Sequence, residues 1–202
     1  QRLAGFAGWS SGAVEAAFAA GLPLDVPSVV APAELPDPAR FDDVADRRLA
    51  TRARLGYHAD EVVLGFVGRY DREKGLPWLF ESFQPHAAEG VRLACFGSGR
   101  EEALVRRASQ ESGGRIRDHG LLELTEVPDV LAALDVLVVP SLALPKVDEQ
   151  FGKVIIEAML AGTPVVASRV GAIPEVVADG GELVNEWDVE GLHSEISSFW
   201  PT

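Results

Sequence analysis

Arg69 and Lys74 stand in the stretch GRYDREKG (68–75), directly after an apolar run. A guanidinium and an ammonium this close together can clamp a diphosphate from two sides, one through its planar fork and the other as a compact charge. Two cations of this kind neutralise the phosphates without a metal ion. The same loop also reads as a solvated turn in which Arg72, Glu73 and Lys74 pair with neighbours. A second candidate group lies in EQFGKVIIEAMLAGTPVVAS (149–168), where Glu149 precedes a helix start and Glu157 interrupts an apolar helix. At 3.6 residues per turn Glu157 can face back toward that start, where its carboxylate could accept two hydrogen bonds from a vicinal diol such as a ribose. The alternative for Glu157 is a buried Arg partner or plain exposure. Amides around Phe151, Gly152 and Lys153 fall at the helix N-terminus, which suits a phosphate or a sugar hydroxyl.

Weaker signals accompany these two. Gly97-Ser98-Gly99 would let a backbone approach a ligand closely before a helix, but Arg100 follows and the third glycine of a dinucleotide fingerprint is missing. Gly171 could admit a ligand in the same way. His119 ends a predicted strand and is either a ligand contact or a packed histidine. His58, His86, His119 and His193 show no metal-binding spacing. There is no GxSxG elbow and no Walker loop.

Strands and helices must alternate to bring these residues together. Short apolar runs predict strands at 61–68, 91–97, 136–141 and 164–168, with further strands at 114–120 and an edge strand at 181–184. Helical patterns fall at 76–83, 100–112, 127–135 (with Pro128 in the first turn), 152–161 (stopped at Gly162) and from 173. Repeated strand–helix–strand order predicts an α/β fold with a doubly wound, Rossmann-like parallel sheet. Ligands bind such sheets beyond the carboxyl ends of the strands. The expected site is therefore the loops at 68–75, 97–100, 119–121, 141–153 and 168–175. Residues 1–45 differ in character. They suggest a strand, a Ser-capped helix, a short strand at PSVVAP and a Pro-rich linker, as if ending a preceding domain, with 46–202 forming the ligand-binding domain.

Composition sets limits on function. The 202 residues are 47% hydrophobic and 24% charged, enough to fill a core. The net charge of −13 repels a nucleic-acid backbone, so any anionic ligand needs a local positive pocket. Lysine is confined to Lys74, Lys146 and Lys153. The lone Cys95, in an apparent strand, reads as a buried, inert thiol compatible with a reducing compartment. No apolar run is long enough for a membrane-spanning helix, and the opening residues do not read as a signal peptide.

Taken in order, GRYDREKG, FGSG, LDVLVVPS, EQFGKVIIEAMLAGTPVVAS and GAIPEVV resemble the C-terminal, donor-binding half of a GT-B fold glycosyltransferase. The similar family is the large retaining one that includes sucrose, trehalose and mannosyl transferases, and the similarity runs from about residue 60 to 190. The seven residues between Glu149 and Glu157 match its carboxylate pair. The resemblance implies catalytic roles for Arg69 and Lys74, which would hold the donor diphosphate, and for Glu149, which would touch the transferred sugar. Gly68, Gly97, Gly99, Phe151, Gly152 and Lys153 would contact the donor, Glu157 its ribose, and His119 with Gly120 its base. It further implies transfer with retention from a nucleoside diphosphate sugar to a sugar, lipid or small-molecule acceptor. No cofactor and no metal are implied, and the location would be cytoplasmic or at the inner face of a membrane. The sequence departs from the family in its longer, apolar SLALPKVDEQFG loop, in Ala33-Glu34 where Asn-Gly is usual, and in ending before the family's closing helix. Turnover is accordingly expected to need an acceptor-side N-terminal domain. A sugar-nucleotide epimerase of the same fold and a non-catalytic nucleotide-binding module are the alternatives.

Overall fold

A computed structural model describes residues 5–31, 35–83, 90–144 and 151–199. Its centre is a six-stranded sheet of β3 (Val62–Val67), β4 (Val91–Phe96), β5 (Ile116–Gly120), β6 (Val136–Val139), β7 (Val165–Ser168) and β8 (Gly181–Val184). The spatial order is β5-β4-β3-β6-β7-β8, and every pairing is parallel. This is the doubly wound arrangement predicted from the strand–helix alternation. The chain reverses its direction of winding between β3 and β6, where such sheets open a crevice at the carboxyl edge.

Alternation along the strands divides the core into two layers. Leu64, Phe66, Leu93, Cys95, Val136 and Val138 face α3 (Leu76–Phe83), α4 (Glu102–Glu111) and α8 (Val189–Ser197). Val63, Ala94, Phe96, Leu137 and Val139 face α5 (Val127–Ala133), α6 (Lys153–Leu160) and α7 (Ile173–Val177). Both faces are covered, so the strands read as continuous apolar runs. Cys95 is fully buried, and burial pushes its thiol pKa up, as expected of an inert thiol.

Two helices lie outside the predicted set. α2 (Val44–Leu55) packs on α5 through arginines rather than an apolar stripe. α8 is capped by Asp188, which accepts from the Gly191 amide at 2.8 Å, and it buries only Leu192 and Ile196. The Pro-rich segment ahead of α2 carries a 3-10 turn over Pro38–Phe41, and its Phe41 is buried in the second core layer.

A smaller unit precedes these elements. β1 (Phe6–Gly8), α1 (Ser11–Ala19) and β2 (Ser28–Val30) form a parallel βαβ unit with two strands. Ser10 caps α1, accepting from the Ala13 amide at 3.2 Å, as the sequence predicts. α1 buries none of its residues. One contact to the large sheet comes from Ser11, whose amide and hydroxyl donate to Glu175 at the start of α7, at 3.0 and 2.7 Å.

Candidate functional site

The carboxyl edge of the sheet is held together by backbone contacts. Gly68 donates to the Phe96 carbonyl at 3.0 Å, and Gly97 to the Gly120 carbonyl at 2.7 Å. These bonds join the loops after β3, β4 and β5. Gly97 sits so close that an added Cβ would lie 1.8 Å from the Gly68 carbonyl oxygen. Gly99 packs against the Tyr70 backbone. On the other side of the crevice, the Leu142 amide donates to the Glu73 carbonyl at 2.8 Å. Gly75, with φ 69°, lies against the Pro140 carbonyl, where a side chain would collide with backbone. Ser168 Oγ donates to the Ser141 carbonyl at 2.5 Å and so links the ends of β6 and β7. The described parts of the predicted loops thus meet in one rim.

Arg69 lies on this rim immediately after Gly68. Its guanidinium is about two-thirds exposed and is bound at 2.5 Å by Asp71 and at 2.9 Å by Glu73. Asp71 is buried and also accepts from the Arg100 side chain at 3.1 Å and the Arg100 amide at 3.3 Å. The Arg100 hydrogen bond holds its carboxyl below the usual carboxylate range, and Arg69 adds to the effect. Lys74 ends the 3-10 turn Arg72–Lys74, and its amide donates to the Asp71 carbonyl at 2.9 Å. In the solvated-turn alternative Glu73 pairs within the loop, and in the structure its partner is Arg69.

α6 starts at Gly152, which is buried and adopts a left-handed conformation with φ 67° and ψ 49°. Phe151 and Lys153 flank it, half-buried, at the same edge. Amides in the first turn of a helix have no partner four residues back, and the positive end of the dipole lies behind them. Glu157 is half-buried on this helix. Side chains on a helix tend to lean toward its N-terminus, and for Glu157 that is the end of α6 that meets the rim. Burial raises its pKa above the usual carboxylate range, against the opposing pull of Lys153 and Arg40. No hydrogen bond to the Glu157 carboxylate is found among the described residues; its backbone carbonyl accepts from the Ala161 amide at 3.0 Å. No direct bond joins Glu157 to Arg69 or Lys74 either, although all three belong to the same edge. Glu149 falls outside the described residues.

His119 owes its position to an irregularity. Cys95 pairs with Asp118 but Phe96 pairs with Gly120, leaving His119 as the extra residue of a β-bulge. Bulges re-aim side chains at the ends of strands. The imidazole stacks on Phe96 at 4.7 Å, and its Nε2 hydrogen-bonds the Tyr57 hydroxyl at 2.8 Å. Burial lowers its pKa, and neighbouring Arg117 lowers it further. Gly120, with φ 69°, follows at the rim, and its amide donates to Asp118 at 3.0 Å.

Sequence reasoning did not single out Asp71, Asp118, Tyr57, Arg40 or Glu101. Asp118 accepts from Tyr70 Oη at 3.0 Å as well as from Gly120, which secures the turn beside His119. Glu101 has a buried Oε2 without a hydrogen-bond partner among the described residues. Its carboxyl is raised by burial, with Arg72 opposing and Asp71 and Glu73 reinforcing the shift. The Asp-His-Gly run at 118–120 was the one local signal available, since a short acceptor two residues before a glycine marks a side-chain-capped turn. Among the described residues no cluster of His, Cys, Asp and Glu could hold a metal ion, and no helix is long and apolar enough to cross a membrane.

The family profile described as Glycosyl transferases group 1 matches residues 61–200. The chain belongs to this family. A D-inositol 3-phosphate glycosyltransferase from Segniliparus rotundus is 36% identical over 161 residues, which are 75% of this chain and 35% of that protein. A 2-deoxystreptamine glucosyltransferase from Streptomyces kanamyceticus is 37% identical over 153 residues, 74% of this chain and 38% of the relative. Solved structures supply a likeness in fold. HepE from Anabaena, solved in complex with UDP, superposes with a TM-score of 0.81 at 24% identity over 96% of this chain and 53% of its own. The fold is that of a Rossmann-like half of a GT-B enzyme. The chain spans about a third of the length of the curated relatives it matches.

Proposed function

We propose that the chain binds the nucleoside diphosphate sugar of a retaining glycosyltransferase, with residues 46–202 as the donor domain and 1–45 as the end of an acceptor-side domain. The observation that carries this reading is Glu157. It is a half-buried carboxylate whose pKa its surroundings raise, on a helix that starts at the rim of a group 1 fold, and the carboxylate accepts no hydrogen bond among the described residues. A desolvated carboxylate costs free energy unless something donates to it, and a ribose diol supplies two donors in the right geometry.

Around that anchor the remaining roles follow from charge and position. Arg69 and Lys74 hold the diphosphate and stabilise the charge that grows on it as the glycosidic bond breaks. The first-turn amides of α6, beside Phe151, Gly152 and Lys153, serve the same developing charge or a sugar hydroxyl. Gly68, Gly97 and Gly99 let the phosphates approach the backbone. His119 and Gly120 lie against the base, and Glu149 touches the transferred sugar. The anomeric carbon passes through an oxocarbenium-like state, so cationic and amide stabilisation of the leaving diphosphate lowers the barrier. No metal is needed for that step when two cations are in place. The acceptor is a sugar, lipid or small molecule, the location is cytoplasmic or at the inner face of a membrane, and turnover requires an acceptor domain. HepE's complex with UDP makes UDP the first nucleotide to test.

Calorimetry with UDP, GDP and ADP tests the reading. One nucleotide should bind, Lys74→Ala should weaken it far more than it weakens the free nucleoside, and Glu157→Ala should weaken both. Unchanged affinity for every nucleotide in Glu157→Ala would remove the anchor from the proposal.

A further inference from the structure

The clamp proposed above contains a cation that the protein already neutralises. Arg69 is bound by Asp71 at 2.5 Å and by Glu73 at 2.9 Å, within its own loop. The two carboxylates differ in what else they hold. Asp71 is buried and keeps the side chain and amide of Arg100, whether or not Arg69 stays. Glu73 holds Arg69 from a side chain that is 14% exposed, while its carbonyl separately secures Leu142 across the crevice. The guanidinium itself is 65% exposed at the rim. Arg72 and Arg100 lie in the same neighbourhood, as does Glu101 with its buried, unbonded Oε2. The loop is thus balanced by its own acids before any ligand arrives.

We propose that Glu73 is a positioning residue that keeps Arg69 folded on its loop, and that the donor diphosphate takes the guanidinium from it by exchange of ion-pair partners. The inference rests on the donor-binding reading above. An exposed ion pair is weak, so the exchange needs little, and the incoming diphosphate offers the guanidinium a bidentate partner in return. Asp71 remains behind as the fixed end of the loop, satisfied by Arg100. Glu73 therefore competes with the ligand for one cation. Its removal should strengthen binding, whereas loss of a merely structural contact would weaken it.

A double-mutant cycle on the 202-residue chain, read by calorimetry with UDP, GDP and ADP, tests this. Glu73→Gln should bind the accepted nucleotide about two- to fivefold tighter than the parent, the range an exposed ion pair can supply. In an Arg69→Ala background the same substitution should leave affinity unchanged, because the competition has lost its object. Thermal unfolding confirms that each variant is folded. Weaker or equal binding by Glu73→Gln with Arg69 present overturns the inference. So does an equal gain in both backgrounds, which would show simple removal of a negative charge. A parent chain that binds none of the three nucleotides overturns the donor-binding reading and this inference with it.

Discussion

The two edges of the central sheet use the same kinds of side chain to opposite ends. At the amino edge, Arg52 donates to the Ala133 and Glu61 carbonyls at 2.8 and 2.9 Å and pairs with Asp135. Arg48 donates to the Leu134 carbonyl at 2.5 Å and to Asp135 at 2.6 Å. Asp135 also accepts from the Val63 amide at 2.6 Å, and Glu61 from Arg92 at 2.7 Å. Each of these charges has partners, and they include the open carbonyls at the end of α5, where cations are favoured. At the carboxyl edge the Glu157 carboxylate and Glu101 Oε2 accept no hydrogen bond among the described residues, and Arg69, paired with Asp71 and Glu73, is itself largely exposed. Saturated charges fix shape, whereas under-satisfied charges leave bonding capacity for a ligand. Stability is given up at the edge where donor binding is proposed.

Substitutions at the two edges should separate these roles. The largest effect is expected from Arg52→Ala, which strands Asp135 and several carbonyls. Urea unfolding should show a loss of about 3–5 kcal/mol, with nucleotide affinity retained in the folded fraction. A loss of affinity at matched foldedness would break the division of labour. Glu157→Gln should do the reverse. Nucleotide affinity should fall about tenfold or more, as for a hydrogen bond to a charged group. Stability at neutral pH should rise by about a few tenths of a kcal/mol after solvent screening. Because the folded pKa of Glu157 is raised, ionisation disfavours the fold. The gain should therefore vanish below the unfolded carboxylate value, 4.5, where the parent is protonated as well.

His119 sharpens the contrast through pH. Its folded pKa lies below the unfolded value of 6.5, so protonation favours the unfolded chain. Stability should hold above that value and decline as pH falls through it, and His119→Gln should flatten the decline in a urea series from pH 8 to 5. The smallest effect belongs to Arg47→Ala. Its pair with Asp129 is 45% and 30% exposed, and it should contribute under about 1 kcal/mol and disappear in high salt.

Much of this organisation is legible in the sequence because buried parallel strands and their glycine turns leave short, strong signals. The runs at 61–68 and 91–97 became β3 and β4, and 76–83 became α3 residue for residue. α2 was not legible, since VADRRLATRARL lacks an apolar stripe and its arginines become interior only when α5 presents carbonyls to them. α8 was missed because Gly191, His193 and Ser194 are poor helix formers and only two of its residues are buried. The bulge at His119 depends on the register between two strands, which no single strand encodes. Of the candidate site, the loops were readable from strand ends. The pairing of Arg69 with Asp71 and Glu73, and the orphaned oxygen of Glu101, arise from side-chain geometry and neighbouring loops.

The grip of Ser11 on Glu175 has a mechanical consequence. Glu175 sits at the start of α7, on the same edge as the glycine rim, and its oxygens engage the amide and hydroxyl at one end of α1. Separating the small βαβ unit from α7 would therefore break both bonds at once and leave a first-turn amide of α1 uncapped, at the helix end where a carboxylate is favoured.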